Sequence, residues 1–419
     1  MYDIASLIDR NRSGDTTGLP CFCTANEYVL RAIMAYAAEH CVPAVIEATC
    51  NQVNQDGGYT GLTAADFSRW IKALANEYDV SPDKLILGGD HLGPNPWRHL
   101  PAREAMEKAE VLVRDYAAAG FRKIHLDASM ACGGEPTPTF ELVAERAARL
   151  CRVAEDNSPA PENLIYIIGT EVPVPGGETD DMADISVTTA ARLHATIDTH
   201  QLAFDRCGLM TVWPRIASIV TQPGVDFSHN ALHRFDPAKA IELSTAILRV
   251  PGMTFEAHST DYQPTDALAE LVEHHCFFLK VGPELTFRMR EAVFALVAIE
   301  KHLLENDESH LVHHIDQAMS ENPSHWTPYY QGDPDLVYQL RHFSYSDRVR
   351  YYWKNPNVRN ALEKLIANLE KQLIPETIVS QYFPQRELGN LGVGPKRLIS
   401  DHVNTSIDRY YKACGYRAV

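Results

Sequence analysis

Residues 85–128, LILGGDHLGPNPWRHLPAREAMEKAEVLVRDYAAAGFRKIHLDA, contain one complete strand–helix–strand unit and indicate the fold. Leu85–Gly89 and Lys123–Ala128 have the length and composition of buried strands. Before Gly120, a usual helix stop, apolar residues recur at helical spacing: Ala109, Leu112, Val113 and Tyr116. Parallel strands are usually joined by a helical crossover, so this unit predicts a parallel sheet.

The same alternation continues from residue 19 to about residue 284. Helix-length segments separate eight candidate strands: Pro20–Thr24, Ala44–Thr49, Leu85–Gly89, Lys123–Ala128, Leu164–Thr170, Ile216–Thr221, Thr254–Ala257 and Phe277–Val281. Eight such units favour a closed barrel over an open doubly wound sheet. The predicted fold is α/β, a TIM (β/α)8 barrel.

The composition changes after the predicted eighth helix, which ends near residue 304. Residues 305–419 have few strand-like runs but carry aromatic clusters such as Tyr351-Tyr352-Trp353. One amphipathic helix is clear from its apolar spacing: Leu362, Leu365, Ile366, Leu369 and Leu373. We predict a barrel at residues 1–304 and a mostly helical C-terminal extension at residues 305–419. The aromatic clusters would either be exposed for assembly with a partner or seal the bottom of the barrel.

Bulk composition excludes several classes of function. The chain has 38 Lys and Arg against 55 Asp and Glu, a formal charge of −17, which argues against nucleic-acid and anionic-membrane partners. A phosphorylated sugar remains compatible, because a local pocket can be basic on an acidic protein. Nine singly scattered cysteines indicate reduced thiols. Neither a secretory signal nor a membrane-length apolar run is visible, so we expect a cytoplasmic protein.

Polar residues gather where the predicted strands end, which is where active sites lie in such barrels. A barrel interior used only for packing would prefer Val, Ile and Leu. Each polar residue alone could be a hydrogen-bonded core residue, but together they predict a functional pocket. The candidates are Glu47, Asn51, Gln52, Asp90, His91, His125, Asp127, Glu171, Gln222, Glu256, His258, Ser259, Asp261, Lys280 and Gly282.

Asp90-His91 places a good divalent-metal ligand beside a proton-transfer group. His258, on another strand, supplies a second imidazole, and Glu171, Asp127 or His125 is a candidate third ligand. A catalytic metal site needs about three protein ligands and an open position. We therefore predict a divalent cation, zinc or similar, bound through His91 and His258.

Lys280 offers a competing chemistry. A desolvated lysine in a barrel strand can form a Schiff base with a ketose carbonyl. The alternative is a lysine that stays charged because it pairs with Glu256 or Asp127 inside the barrel. We favour the metal, with Asp90, Glu171, Asp127 and Lys280 as catalytic candidates.

The predicted substrate-binding residues are Glu47, Asn51, Gln52, Gln222, Ser259 and Gly282. The amide-rich loop at residues 51–61 suits sugar hydroxyls. Gly282 precedes a helix whose free N–H groups could hold a phosphate. No Walker A motif or kinase glycine loop is present, which argues against a kinase.

Eight segments carry a resemblance to a known family: IEATCNQVNQDGGYTG (46–61), ILGGDHLGPNPW (86–97), KIHLDASM (123–130), IGTEVPVPGGE (168–178), VTQPGVDF (220–227), EAHSTDYQ (256–263), LKVGPELTFRMREAVFAL (279–296) and SDRVRYYW (346–353). They resemble the GatZ/KbaZ (also AgaZ) family. The resemblance implies a TIM barrel related to class II ketose-bisphosphate aldolases. It also implies a role in galactitol, tagatose or N-acetylgalactosamine catabolism.

Members of that family are described as the second subunit of tagatose-1,6-bisphosphate aldolase, which yields glycerone phosphate and glyceraldehyde 3-phosphate. The resemblance thus implies that this chain stabilises or activates a separate metal-dependent catalytic subunit. Some relatives are labelled tagatose-6-phosphate kinase, and some related barrels are assigned ketose C4-epimerase activity. The alternative is therefore a free-standing metal-dependent ketose epimerase or aldolase. Expected partners are a ketose or ketose phosphate, a class II aldolase catalytic subunit and a second copy of the chain.

The resemblance also sets an expectation for the metal site. Asp90-His91 match the catalytic Asp and first metal His of class II aldolases, and His258 matches the seventh-strand His. The sixth strand, which carries another His in those enzymes, ends here in Gln222, with His229 seven residues later. This departure implies an incomplete three-histidine site and a chain with weak or absent aldolase activity of its own.

Overall fold

The computed structural model describes residues 3–170, 185–386, 389 and 392–416. Eight parallel strands within these residues close a barrel in the order β1-β10-β9-β6-β5-β4-β3-β2. Their bounds are β1 Leu19–Cys23, β2 Ala44–Thr49, β3 Leu85–Leu92, β4 Lys123–Leu126, β5 Ile165–Ile168, β6 Ile216–Thr221, β9 Thr254–Ala257 and β10 Cys276–Val281. The predicted TIM barrel with a helical extension is confirmed, and each predicted strand overlaps an observed one.

Helices alternate with the strands and continue beyond them. The bounds are α1 Ile4–Arg12, α2 Glu27–Glu39, α3 Ala64–Glu77, α4 Ala102–Ala118, α5 Phe140–Asn157, α6 Ala190–Arg206, α7 Pro237–Ile247, α8 Thr265–Glu273, α9 Pro283–Leu303, α10 Leu311–Glu321, α11 Pro334–Phe343, α12 Pro356–Glu370, α13 Glu376–Tyr382 and α14 Pro395–Ala413. Local sequence explains their starts. In α3, for example, Thr63 and Asp66 form a reciprocal capping box, and Phe67 and Ile71 turn their apolar face to the core. No described helix is long and apolar enough to cross a membrane.

A short antiparallel pair, β7 (Asp226–Phe227) and β8 (Leu232–His233), follows β6 and was not predicted. Strands of two residues are too short to show an alternating pattern in the sequence.

The barrel interior has an apolar lower layer and a polar upper layer. Helix α1 closes the N-terminal end, where Ile4 and Ile8 pack with strand residues such as Leu19 and Phe278. Above them, ionisable side chains replace the usual branched aliphatic residues: Glu47, Lys123, Glu256 and Lys280, all buried. The fold therefore concentrates buried charge toward the C-terminal ends of the strands.

The C-terminal extension packs on the barrel. Helix α14 lies against α2, α8 and α9. Tyr411 stacks on Tyr36 with ring centroids 5.1 Å apart, and its hydroxyl donates to the Pro43 carbonyl at 2.7 Å. The expected exposure of the aromatic clusters is wrong for Tyr352 and Trp353, which are buried. The expected position at the barrel bottom is wrong for Trp353, which lines the C-terminal mouth at the opposite end.

Candidate active site

A cavity of about 570 Å³ lies at the C-terminal ends of the barrel strands. Its floor is formed by strand ends, including Asp90, His91 and Lys280, and by His258 just after β9. The loop after β2 and the C-terminal extension form adjoining walls, with Asn51, Gln52, Tyr59 and Thr60 from the loop and, among others, Arg350, Tyr351, Trp353, Lys354, Arg359 and Glu363 from the extension. The cavity is large enough for a small metabolite such as a sugar phosphate.

Two buried lysines neutralise the carboxylates beneath the cavity. Lys123 Nζ lies 2.7 Å from Glu47 Oε1 and 2.5 Å from Glu256 Oε2. Lys280 Nζ contacts Glu47 and lies 3.0 Å from Asp90 Oδ2. Burial raises the pKa of Glu256, but Lys123 and His258 outweigh it and hold this pKa at about 2. Glu256 is therefore ionised at neutral pH, and its charge is paired, as a buried charge needs to be.

Three imidazoles surround the floor of the cavity. The ring centroids are 5.1 Å apart for His91 and His125, 4.9 Å for His91 and His258, and 5.2 Å for His125 and His258. His91 Nδ1 lies 2.8 Å from Asp127 Oδ2, and His258 Nε2 lies 2.9 Å from Glu256 Oε1. Carboxylates thus orient these two rings, and Asp90 lies within hydrogen-bond distance of the third, His125.

The charges around Asp90 fix its protonation. Burial raises the pKa of Asp90, but His91, His125 and His258 outweigh it and hold this pKa well below its usual range. Burial lowers the pKa of His91, but Asp90 and Asp127 outweigh it and raise this pKa to about 9. At neutral pH the floor therefore pairs an Asp90 carboxylate with a charged His91.

The residues on this floor fit a divalent cation. Asp90, His125, Glu256 and His258 each offer a ligand atom within 4.8 Å of the others. His125 Nδ1 lies 3.0 Å from Asp90 Oδ1, while its Nε2 is buried without a hydrogen-bond partner in the described part of the chain. Metal-binding histidines commonly leave one ring nitrogen free in this way, with the other on a carboxylate. Imidazole nitrogens and carboxylate oxygens are ligands that zinc and similar divalent cations accept.

The backbone is strained at the same place. His91, Ser259 and Tyr262 have φ values of 49°, 52° and 65°, in the left-handed region that non-glycine residues rarely adopt. Such conformations persist when the surrounding structure over-determines them, and they concentrate at functional sites. His91 and Ser259 both line the cavity.

Most of the predicted site residues meet in this cavity. Those that line it are Asn51, Gln52, Asp90, His91, His258, Ser259, Asp261, Lys280 and Gly282. Asp127 and Glu47 do not line it and instead contact residues that do, His91 and Lys280. The Gln222 amide oxygen accepts hydrogen bonds from Gly224 N at 2.8 Å and Val225 N at 3.0 Å, so it stabilises a turn outside the cavity lining. Glu171 lies outside the described residues.

The start of α9 differs from the expectation that its N–H groups are free for a phosphate. Asp261 Oδ1 accepts hydrogen bonds from the N–H groups of Gly282 and Glu284, both at 2.9 Å. Pro283, between them, has no N–H group. The first donors of the helix are therefore occupied by a side chain of the protein itself.

Sequence reasoning missed several residues of the site, among them Lys123, Cys23 and the cations of the extension. Lys123 alternates with His125 and Asp127, and this spacing of two places all three on one face of β4. This spacing could have identified Lys123, but candidates were expected at the ends of strands and Lys123 stands at the start of β4. His229 is not a replacement for the missing sixth-strand histidine, since its Nδ1 lies 3.0 Å from Ser346 Oγ in the extension. A third imidazole comes from β4, as His125.

Comparisons with known proteins agree with this architecture. The family model described as "D-tagatose-1,6-bisphosphate aldolase subunit GatZ/KbaZ-like" matches residues 4–415. A crystal structure described as a probable tagatose 6 phosphate kinase from Sinorhizobium meliloti 1021 is 42% identical, with a TM-score of 0.86, over 95% of this chain and 100% of that one.

Two aldolase structures are far more distant. The YdjI aldolase from Escherichia coli K12 is 14% identical with a TM-score of 0.41, covering 87% of this chain and 96% of that one. A fructose-bisphosphate aldolase from Campylobacter jejuni is 14% identical with a TM-score of 0.45, covering 91% and 94%. At these values neither carries an argument about this chain. The family model, in contrast, matches nearly the whole length of the chain. The chain therefore belongs to the GatZ/KbaZ-like family of D-tagatose-1,6-bisphosphate aldolase subunits.

Proposed function

We propose that this chain binds a phosphorylated ketose in its own barrel mouth and transfers a proton near the ketose carbonyl. Such a transfer is part of both aldol cleavage and C4 epimerisation by carbon–carbon cleavage and re-addition. The observation that carries the proposal is the cluster of Asp90, His91 and Lys280 on the floor of a cavity large enough for a sugar phosphate. A chain that only stabilised a partner would have no need of buried charge at this position.

A divalent cation is part of the proposal. His125, Glu256 and His258 would hold it, with Asp90 and His91 beside them. When bound, it would supply a Lewis acid for the ketose carbonyl. This set keeps His258 and one of the candidate third ligands, His125, and it adds Glu256, while the ligand role of His91 remains a prediction.

Asp90 is the proposed proton acceptor. It is an ionised carboxylate on the cavity floor, and its Oδ2 lies 3.0 Å from Lys280 Nζ. The Lys280 ammonium can stabilise an oxyanion that develops on the substrate. An oxyanion that draws Lys280 away from Asp90 removes one of the charges that keep Asp90 weakly basic. Substrate binding would thus make Asp90 a stronger base.

Lys280 is better suited to electrostatic stabilisation than to Schiff-base formation. Burial lowers the pKa of Lys280, but Glu47 and Asp90 both lie within ion-pair distance of its ammonium group. Forming an iminium would require the amine to lose its proton between two carboxylates. The observed partners of Lys280 are Glu47 and Asp90 and not the predicted Glu256 and Asp127. Either pair of carboxylates favours the charged form of the lysine.

The second candidate function is that of a stabilising or activating subunit, and the family description favours it. The partner would be a class II aldolase catalytic chain, and a homo-oligomer is a further possibility. Helix α11 exposes Leu336, Tyr338 and Phe343, by 38%, 48% and 60%, which is the type of surface that interfaces use. A kinase is disfavoured, because the sequence has no nucleotide-binding loop.

One experiment separates the two functions. Cleavage of D-tagatose 1,6-bisphosphate is measured with this chain, with a class II catalytic chain, and with both together, using wild type and Asp90→Asn. Our proposal predicts that the variant loses the activity that this chain contributes. If Asp90→Asn supports the catalytic chain as well as wild type does, and wild type alone is inactive, only the subunit role remains.

A further inference from the structure

The extension brings cations into the wall of the cavity. Arg350 and Lys354 line it, together with Tyr351 and Trp353 between them in the sequence. This segment contacts the loop after β2 directly. The Tyr351 ring lies 4.7 Å from the Tyr59 ring, centroid to centroid, and Lys354 Nζ donates to the Thr60 carbonyl. The basic residues are therefore held at a defined position in the site.

Neither cation has a carboxylate partner within ion-pair distance in the described part of the chain. The Arg350 guanidinium donates to the carbonyls of Ser346 and Asp347 and, at 2.9 Å, to the Tyr351 hydroxyl. The Asp347 carboxylate is bound instead by Arg290, at 2.6 Å. In a chain with a formal charge of −17, two neighbouring cations without acidic partners indicate a site for an external anion.

A short series of contacts separates these cations from the floor of the cavity. Cys23 Sγ lies 3.7 Å from Asp90 Oδ2 and 3.7 Å from Gln52 Oε1. Tyr59, from the same loop as Gln52, packs on Tyr351. The Arg350 guanidinium in turn lies 4.5 Å from the centroid of the Tyr351 ring. One ligand spanning both ends of the cavity would thus have an anion at one end and a carbonyl at the other.

The competing anion site at the start of α9 is already filled. Asp261 accepts the N–H groups of Gly282 and Glu284, and a second carboxylate, Glu284, lies in the same turn. An incoming phosphate would have to displace one carboxylate and lie close to another. In the wall of the extension the lining carboxylate Glu363 pairs with Arg359 at 3.8 Å, and no described carboxylate lies within ion-pair distance of Arg350 or Lys354.

We infer that Arg350 and Lys354 form an anion subsite that binds the phosphate monoester of the ketose phosphate. The inference rests on the proposed function for its account of the carbonyl end at Asp90 and Lys280. Arginine provides planar N–H donors for phosphate oxygens, and lysine provides a mobile point charge. The extension is thereby a specificity element, because it supplies the charges that distinguish a phosphorylated ketose from a free one.

The test is calorimetric titration of the full-length protein with D-tagatose 6-phosphate, D-tagatose and inorganic phosphate. The variants are Lys354→Met and Arg350→Lys, with Lys371→Met as the control, since Lys371 is an exposed lysine of the extension outside the cavity lining. Lys354→Met should weaken binding of the 6-phosphate and of inorganic phosphate about tenfold, the loss of one charge-assisted contact. It should leave D-tagatose binding unchanged. Lys354→Arg should restore most of the loss, and the control should bind like wild type.

Several outcomes would overturn the subsite. One is equal binding of the free and the phosphorylated sugar by wild type, and the other is an equal weakening of both by Lys354→Met. Because Lys354 is exposed, Lys354→Met keeps the test valid even where Arg350→Lys disturbs the fold. Proton exchange measured in parallel distinguishes the two proposals. If the preference for the phosphorylated sugar depends on Lys354 but no proton exchange depends on Asp90, the subsite is supported and the proposed function is overturned. If exchange depends on Asp90 but Lys354 gives no preference for the phosphorylated sugar, the proposed function is supported and the subsite is overturned.

Discussion

Replacing Lys123 by Met tests whether the buried charges beneath the cavity form one balanced network. Lys123 is fully buried, and its ammonium contacts Glu47 and Glu256 at 2.7 and 2.5 Å. Methionine fills a similar volume but leaves two buried carboxylates with one cation fewer. Removing one partner of a buried pair typically costs about 3–5 kcal/mol, so we expect Lys123→Met to lower the free energy of unfolding by that amount.

Urea unfolding followed by circular dichroism measures the effect, with Arg103→Met as the matched control. Arg103 pairs with Glu107 on the surface at 3.0 Å, with 88% and 53% of the side chains exposed, so its loss should cost less than about 1 kcal/mol. Adding Glu256→Gln to Lys123→Met should recover part of the loss. The deficit should also shrink toward pH 5, because protonating one carboxylate removes the uncompensated charge. Equal costs for Lys123→Met and Arg103→Met would refute the reasoning.

Three further predictions concern the site and its surroundings. Burial and Glu284 raise the pKa of Asp261 to about 7, so the folded state keeps a proton that the unfolded chain releases near pH 4, and stability should fall as pH rises between these values. Asp261→Asn should flatten this dependence of stability on pH in thermal melts at pH 5 and pH 8, because Asn does not titrate. The Asn Oδ1 can still accept both backbone hydrogen bonds, so the fold is kept. An unchanged dependence on pH contradicts the assignment. Borohydride reduction with D-tagatose 6-phosphate should leave Lys280 unmodified by mass spectrometry, and a trapped adduct would favour the Schiff base. Elemental analysis after dialysis against zinc should show less metal in His125→Ala than in wild type, and equal content would exclude His125 as a ligand.

The sequence was sufficient to predict the barrel because each strand–helix unit repeats a local signal. Strands such as Ala44–Thr49 and Ile216–Thr221 were predicted at their observed bounds, since buried parallel strands are continuous apolar runs. Asp90 and His91 were found for a related reason. They are polar residues in a region that otherwise favours aliphatic side chains, so they stand out.

The charges of the extension could not be predicted, because their position depends on packing between distant parts of the chain. Lys354 meets Thr60 across 294 residues of sequence, and no local pattern encodes this contact. The occupied N-terminus of α9 was missed for a similar reason. The sequence of a helix start predicts free N–H groups. Whether Asp261 reaches them depends on how the loop after β9 folds.

The most direct test of the central claim is deuterium exchange into glycerone phosphate by the purified chain alone. A site that transfers a proton near the carbonyl should exchange a hydrogen on the adjacent carbon for deuterium from heavy water, whether or not cleavage is completed. NMR measures the rate of this exchange. We predict exchange by wild type and a rate at least about 10²-fold lower for Asp90→Asn, the usual loss when a general base is removed. No exchange by wild type loaded with a divalent cation, or equal exchange by Asp90→Asn, would contradict the claim that this barrel carries its own chemistry.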